Sequence, residues 1–391
     1  MAKEFECLIS KIKIMLITGS IKQFDYKFDQ NDIGTTLPKF NFEEFNINTA
    51  NASGLIKNKT NLEIAYSKWV TPKRTRSYPF SRIFKTLYLD EKKITVIPII
   101  KDEGLGERKN DSNNDRINHM TFSMMSLANI YVVLGWYDNF DKKTNFRITN
   151  QIMEANYINK KIDEIFNYKA SALEWNNYHF KNDFVMTLET AASRYEKLSI
   201  DKKVAMHPID GHHKFLKQFQ IDKKIDMKKF ADNTIPKSYQ AALRETKTIH
   251  KLEKLNNDKK AVFSIKDLNN GKYYLTCDEI EISEGEVTII EAKNTSQNLI
   301  PSSGDIEDGI FKLLLFKNLS ELKLNNIPIQ SKVQLNLTGK LKTTLELPNN
   351  KNTIIEFASY EELKKSQLQL LLRINSIAHK NQFKVMLFPN E

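Results

Sequence analysis

The chain has 391 residues, of which 40% are hydrophobic and 27% charged, proportions that are ordinary for a soluble globular protein and allow two domains. Lys and Arg number 59 against 48 Asp and Glu, and the resulting net charge of +11 suits a polyanionic partner, although it is also typical of Lys-rich proteins from AT-rich genomes. Only Cys7 and Cys277 are present, which excludes a disulfide framework and a Cys-based zinc site and favours the cytoplasm.

The N-terminal region begins with a predicted strand at Ile12–Ile17 and continues through a long Asn-rich stretch without a clear period. Between Tyr66 and Leu89, basic side chains are interleaved with aromatic ones. Basic side chains bind phosphates, and Arg also binds guanine edges. A DNA-contacting segment and an amphipathic helix with a solvated face both account for this pattern. The candidate DNA-binding residues are Lys73, Arg74, Arg76 and Arg82.

Two short apolar runs, Ile94–Ile100 and Ile130–Gly135, predict buried strands, and a helix is expected between them over about Arg116–Leu127. Strand, helix and strand make an α/β unit. The charged stretch Lys101–Asp115 is expected to be a surface loop first and a DNA contact second. The longest uncharged run, 120–137, carries polar residues and so predicts buried elements, not a membrane span.

Two further segments have alternative interpretations. The run Met206–His213 contains three His and one Asp, which suits a metal, but clustered His beside Pro and Gly is commonly only a loop. Pro236–Leu255 has the composition of a helix, and Pro at its first turn is expected because that position needs no N–H.

The most informative stretch is a predicted β-hairpin. Two runs of strand-forming residues, Tyr273–Ile282 and Val287–Ala292, flank Ser283-Glu284-Gly285-Glu286, and Gly285 supplies the positive φ of a two-residue turn. If Ser283 pairs with Glu286, then Asp278 lies opposite Glu291.

On that register Thr276 opposes Lys293, so Asp278, Glu291 and Lys293 share one face of the hairpin. Two opposed carboxylates repel unless a cation lies between them, and Mg²⁺ prefers oxygen ligands of this kind. The alternative interpretation of these three residues is a polar stripe on the strand that only contacts solvent. A slip of one residue would place Glu279 opposite Glu291 instead of Asp278.

The remaining C-terminal residues alternate between helix and strand patterns. Asp305–Leu319 is predicted to be a helix that Asp305 caps, and positioning of a metal or water is the alternative role of Asp305. Lys312 is expected to be an ordinary surface lysine or a phosphate contact. Thr353–Phe357 is predicted to be a strand and Tyr360–Ala378 a helix. The C-terminal half is therefore expected to be mixed α/β.

Asp278 with Glu291-Ala292-Lys293 resembles the PD-(D/E)XK nuclease motif, and the segment Pro301–Lys312 resembles one found in a group of Type II restriction endonucleases. The motif's Pro is replaced by Cys277. The resemblance implies that Asp278, Glu291 and the carbonyl of Ala292 hold Mg²⁺. It also implies that Lys293 orients or deprotonates the attacking water and offsets the charge on the phosphorus. It further implies that a preceding helix can donate an acid, for which Glu245 is the candidate, although an ordinary surface position is the favoured interpretation of Glu245.

The resemblance implies a restriction-endonuclease-like core, a mixed β-sheet flanked by helices, in residues 236–391. Residues 1–235 would form an α/β region for DNA recognition. The expected activity is Mg²⁺-dependent, sequence-specific hydrolysis of double-stranded DNA, by a homodimer if the target is palindromic. A non-specific or repair nuclease of the same fold and a non-catalytic DNA-binding protein remain alternatives. No GxxxxGK[ST] motif is present, which excludes an ATP-driven translocase of the P-loop kind.

Overall fold

The computed structural model describes residues 14–34, 36–69, 83–106, 114–246, 260–268, 271–283 and 286–390. These residues form a mixed α/β protein, which confirms the predicted class. They divide into two compact units. The central unit is Leu37–Lys237, and the terminal unit comprises the described residues of Met1–Thr36 and Ser238–Glu391. The first strand within the described residues therefore groups with the C-terminal residues.

The strands are numbered along the chain. They are β1 (Ile14–Ser20), β2 (Lys39–Asn41), β3 (Ser53–Lys57), β4 (Glu63–Lys68), β5 (Lys92–Pro98), β6 (Ile100–Asp102), β7 (Asn114–Arg116), β8 (Ile130–Gly135), β9 (Tyr137–Thr144), β10 (Arg147–Met153), β11 (Gln220–Ile221), β12 (Lys224–Ile225), β13 (Lys260–Lys266), β14 (Lys272–Thr276), β15 (Glu279–Ser283), β16 (Glu286–Asn294), β17 (Ser320–Leu324), β18 (Ile327–Pro328), β19 (Gln330–Gly339), β20 (Leu345–Leu347) and β21 (Lys384–Pro389).

The α-helices are numbered in the same way. They are α1 (Gln30–Ile33), α2 (His119–Leu127), α3 (Ala155–Asn167), α4 (Ala172–Lys202), α5 (Ile209–Lys217), α6 (Met227–Thr246), α7 (Ser303–Lys317), α8 (Lys351–Tyr360) and α9 (Lys365–Asn381). None of the helices in the described ranges is long and apolar enough to cross a membrane.

The core of the central unit is a five-stranded sheet in the order β2-β3-β4-β5-β8, in which β4, β5 and β8 are parallel. Every residue of β8 is buried, as expected for a parallel strand covered on both faces. Helix α4 covers β8, because Trp175 Nε1 donates to the carbonyl of Val132 at 3.0 Å and Asn176 Oδ1 accepts from Val132 N at 2.8 Å. The predicted strand at Ile130–Gly135 has the observed bounds.

The terminal unit contains two five-stranded sheets. The first has the order β14-β13-β1-β17-β18, with β1 parallel to β13. The second has the order β15-β16-β19-β21-β20, in which β15 and β16 are antiparallel and β16, β19 and β21 are parallel. Helix α7 follows β16 in the chain and packs against β16 and β19. Strand β16 is thus an inner strand with neighbours on both sides.

Two predictions about the charged stretch after β5 are wrong. Lys101 and Asp102 lie on β6 and are only 5% and 1% exposed, so this part is not a surface loop. Arg116 lies on β7, and helix α2 begins later, where the side chain of Asn118 accepts a hydrogen bond from Thr121 N. A side-chain cap of this kind determines where a helix begins.

Two predicted boundaries in the C-terminal half are also wrong. Pro236 does not begin a helix but lies inside α6, which begins at Met227. Asp226 Oδ1 caps this start by accepting from Lys229 N. The predicted strand at Thr353–Phe357 is part of helix α8. Asn350 caps α8 by accepting from Thr353 N, and Ile354, Phe357 and Ala358 form its buried stripe.

Candidate active site

The hairpin register is confirmed. Ser283 pairs with Glu286 and Ile280 with Ile289, on either side of Glu284 and Gly285, which lie outside the described residues. The predicted first strand, however, is not continuous. It divides into β14, which pairs with β13, and β15, which pairs with β16, so Thr276 opposes Val262 and not Lys293.

Asp278 lies at this break, one residue beyond the end of the β15–β16 ladder. Its backbone N donates to the carbonyl of Ile290 at 3.1 Å, and its Oδ2 accepts a hydrogen bond from Ala292 N at 2.8 Å. The backbone of β16 therefore holds the Asp278 carboxylate beside the Glu291–Ala292 segment. This carboxylate is close enough to act on the charges of Lys293 and Lys312.

Glu291 is the buried acid of the site. It is 2% exposed, because β16 lies between two other strands and under helix α7. Its Oε1 lies 3.0 Å from Lys293 Nζ, and its Oε2 lies 2.6 Å from Lys312 Nζ. A buried carboxylate is strongly unfavourable without compensating charge, and here two ammonium groups provide it.

Lys293 is shared between two acids. Its Nζ lies 3.0 Å from Glu291 Oε1 and 3.4 Å from Asp308 Oδ2 on helix α7. Burial alone would lower the pKa of Lys293, but the carboxylates of Glu291, Asp308 and Asp278 outweigh burial and raise the pKa. The side chain is therefore an ammonium at neutral pH, able to stabilise negative charge but not to accept a proton.

Lys312 is the residue that sequence reasoning misjudged. Its side chain is only 15% exposed, so the prediction of an ordinary surface lysine is wrong. Burial acts to lower the pKa of Lys312, and the charges of Glu291 and Asp278 raise it above its usual value. The available signal was the position of Lys312 four residues after Asp308 in a helix whose other residues from 309 to 316 are buried.

Gly309 allows helix α7 to approach the strands closely. A Cβ at this position would lie 2.9 Å from Leu335 Cδ1 and 3.3 Å from Lys293 Cε. These distances are shorter than ordinary carbon contacts, so any larger residue would push the helix or the Lys293 side chain away. The close packing of α7 is what brings Asp308 within reach of Lys293.

The other predicted site residues either lie outside the described residues or have another role than the one predicted. Lys73, Arg74, Arg76 and Arg82 lie outside the described residues, as does the side chain of Glu245. The prediction that Asp305 caps the helix is wrong, since Ser302 is the cap and accepts from Asp305 N at 3.3 Å. The segment Met206–His213 is partly helical, because Ile209 begins α5.

The Cys277 thiol beside the site is buried, which raises its pKa to about 12. It is therefore uncharged at neutral pH and unsuited to act as a nucleophile.

The oxygen donors of the site suit Mg²⁺ only in part. Within the described ranges, no three His, Cys, Asp or Glu side chains are arranged as a ready metal site. Asp278 and Glu291 nevertheless supply carboxylate oxygens, and the buried Glu291 Oε2 is ion-paired with Lys312 without an aligned hydrogen bond. One or two carboxylates suffice for Mg²⁺, so the residues are compatible with it if Lys312 moves off Oε2.

The sequence matches no protein-family model, and no curated protein or solved structure is significantly similar to the chain. The resemblance to PD-(D/E)XK nucleases therefore depends on the motif residues alone.

Proposed function

We propose that the protein is a Mg²⁺-dependent endonuclease of the Type II restriction kind, which hydrolyses phosphodiesters in double-stranded DNA. The observation that supports this proposal most directly is the buried Glu291 between two lysines, with Asp278 held against the same segment. The order of β15, β16, α7 and a parallel β19 is compatible with a restriction-endonuclease-like core.

In the proposed site, Asp278, Glu291 and the carbonyl of Ala292 would hold the metal. When bound, Mg²⁺ polarises the scissile phosphate and lowers the pKa of a coordinated water. Ala292 N fixes Asp278 by donating to its Oδ2. Lys293 stabilises the negative charge that develops on the phosphoryl oxygens, since its raised pKa keeps it an ammonium.

The net charge of +11 supports a polyanionic substrate. We further propose that residues 1–235 recognise the DNA sequence, that the enzyme acts in the cytoplasm, and that a palindromic target would be cut by a homodimer. A non-specific or repair nuclease would use the same site without sequence preference.

A specific observation favours a second candidate, a DNA-binding protein without catalysis. Both oxygens of Glu291 already have a lysine partner, which is also what a purely structural ion-pair cluster requires. The two candidates differ in their need for metal.

The proposal is tested by digesting unmethylated phage DNA with Mg²⁺, with Mg²⁺ and EDTA, and with the Lys293→Ala variant. Discrete bands that disappear in the last two reactions are the expected result, and a smear would indicate the non-specific nuclease. Lys317→Ala is the control for Lys293→Ala. It removes the same charge at an exposed position of helix α7. DNA that is bound but uncut with every divalent metal would contradict the catalytic proposal.

Thermal unfolding of both variants shows whether lost cleavage reflects lost folding. The EDTA reaction needs no variant and tests the metal requirement on the native protein.

A further inference from the structure

A basic cavity of about 810 Å³ opens on the central unit, where the short β11–β12 hairpin packs beside helix α4. Its lysines are Lys181 on α4, Lys223 in the hairpin turn, Lys224 on β12 and Lys228 on α6. All four are exposed, and within the described residues none of their ammonium groups has an ion-pair or hydrogen-bond partner. Their charge is therefore available to an anion from outside the chain.

Two acids also line this lysine cavity, Asp222 and Asp226. Asp226 Oδ1 accepts from Lys229 N at 3.0 Å, so this carboxylate caps helix α6. Asp222 is exposed in the hairpin turn and has no ion pair with a described residue. Four lysines against two acids leave the lysine cavity net positive.

The start of helix α6 adds to this positive charge. Lys228 and Lys229 lie in its first turn, which contains no acid. Positive side chains are unfavourable at a helix N-terminus, because the helix dipole and the free N–H groups are already positive there. These two lysines therefore do not stabilise the helix, and they strengthen the attraction for an external anion.

The lysines stand on a rigid support. The ring of Phe219 lies 5.1 Å from that of Phe230, and the ring of Phe184 on α4 lies 6.0 Å and 5.5 Å from these two. Asp226 N donates to the carbonyl of Phe219 at 2.8 Å, and Ile225 on β12 is only 3% exposed. A ligand would thus meet a preformed backbone, and only the lysine side chains would lose freedom on binding.

Apolar side chains are exposed between the lysines. Ile221 pairs directly with Lys224, so the two side chains share one face of the hairpin, and Ile221 is 49% exposed. Met227 lines the same cavity. A sugar–phosphate backbone has a matching composition, since apolar deoxyribose alternates with phosphate, and proteins contact both groups.

We propose that the lysine cavity binds the sugar–phosphate backbone of duplex DNA without reading its sequence. This inference rests on the proposal that DNA is the substrate, but it does not depend on cleavage. The lysine cavity belongs to the central unit, whereas Glu291 and Lys293 belong to the terminal unit.

The test variant replaces three lysines of the cavity with Ala, namely Lys223, Lys224 and Lys228. The control variant replaces three exposed lysines of the central unit that do not line the cavity, namely Lys143, Lys160 and Lys169. Both variants lose the same charge at exposed positions, so a difference between them reports the location of the lysines. Melting temperatures of the two variants show that each is folded.

The first measurement is the affinity of the full-length protein for duplex DNA in EDTA, as a function of salt. The cavity variant is expected to bind on the order of tenfold more weakly than the control variant, and its salt slope should decrease by about 3, one for each phosphate contact. The loss should be equal for duplexes of unrelated sequence, because phosphate contacts carry no sequence information.

A variant with the opposite effect is Asp222→Asn. It removes the exposed acid of the cavity, and Asn tolerates the positive φ of 53° at this position. DNA binding should become about threefold tighter, as expected for one exposed charge. Asp163→Asn is the control, because it removes an exposed acid of helix α3.

Equal DNA binding by the cavity and control variants, or a wild-type protein that binds no duplex in EDTA, would overturn the proposal. Vesicles that contain phosphatidylserine test the other polyanionic surface. If the cavity variant loses vesicle binding but keeps DNA binding, the lysines contact a membrane and the proposal is wrong. Cleavage with Mg²⁺ is measured separately, so a nuclease that does not use this cavity and a DNA-binding protein that does not cleave give different results.

Discussion

Two buried carboxylates, Glu291 in the terminal unit and Asp102 in the central unit, are compensated in different ways. Glu291 is held by the ammonium groups of Lys293 and Lys312. Asp102 is held by two backbone N–H groups and by the imidazole of His207. Both acids are almost fully buried, so the difference lies in the partners and not in the exposure.

The partners differ in mobility. A lysine ammonium lies at the end of a flexible four-carbon chain and can move to another anion, whereas a backbone N–H is fixed by its strand or turn. Glu291 is therefore suited to exchange a lysine for a metal ion, and Asp102 is suited only to hold a neighbour in place. The comparison leads to four predictions.

The largest effect is expected from Glu291→Gln. Loss of this charge removes a proposed metal ligand and the ion-pair partner of Lys312, so DNA cleavage should fall on the order of a thousandfold. Single-turnover cleavage of a plasmid measures the loss. Glu286→Gln is the control, because Glu286 is on the same strand but pairs with the exposed Lys332. Equal activity of Glu291→Gln and Glu286→Gln would contradict the role of Glu291.

The protonation of His212, which accepts a hydrogen bond from Arg116 Nε, should appear in the pH dependence of stability. The pKa of His212 is about 4 in the folded protein against an ordinary value near 6.5, so between these values the unfolded chain binds more protons. The contribution of His212 to stability is therefore fully present above pH 6.5 and is lost as the pH falls toward 4.

This loss should amount to on the order of 3 kcal/mol for the one group. In His212→Gln, where the amide oxygen can still accept from Arg116, that part of the loss should be absent. Urea unfolding at several pH values measures both proteins. An identical decline in the variant would show that His212 is not a buried neutral support.

The two clusters also show which features the sequence alone could predict. The bounds of β8 and the pairing of Ser283 with Glu286 were predicted correctly, because local apolar patterns and turn residues determine them. The break before Asp278 was not predicted, because it depends on β14 joining a different sheet from β15. A run of strand-forming residues does not show where the chain changes sheets.

Buried charges were the other feature that the sequence could not locate. Lys312 and Lys101 were expected at the surface, as charged residues usually are. Lys101 is instead buried beside Glu103, and Lys312 is largely buried beside Glu291. Glu291 is distant from Lys312 in the sequence, and Glu103 is a near neighbour whose charge gives no sign of burial. A charged residue is buried when tertiary packing supplies its partner, which a single sequence does not show.

The mobility of the lysines can be tested by metal binding in the absence of DNA. Lys293 also contacts Asp308, so Lys312 is the ammonium expected to leave Glu291 when a metal binds. Lys312→Met removes this competitor and should increase the affinity for Mn²⁺ about tenfold, or about 1.4 kcal/mol. Titration followed by electron paramagnetic resonance measures it, with Lys317→Met as the control.

Unchanged or weaker Mn²⁺ binding by Lys312→Met would show that Lys312 does not compete for Glu291. A wild-type protein that binds no divalent metal would instead contradict the proposed nuclease itself.

The smallest effect is expected from the two glycines of helix α7, which should respond with opposite signs. A Cβ at Gly309 would lie 2.9 Å from Leu335 Cδ1, whereas one at Gly304 would meet nothing closer than Ser302 Oγ at 3.9 Å. Gly309→Ala should therefore cost about 1 kcal/mol of stability and lower cleavage by displacing Lys293. Gly304→Ala should stabilise the protein by up to about 1 kcal/mol, because Ala favours helices. Urea unfolding measures the stability of both variants. Equal stabilisation by Gly309→Ala and Gly304→Ala would show that α7 does not approach β16 and β19 closely enough to position Lys293.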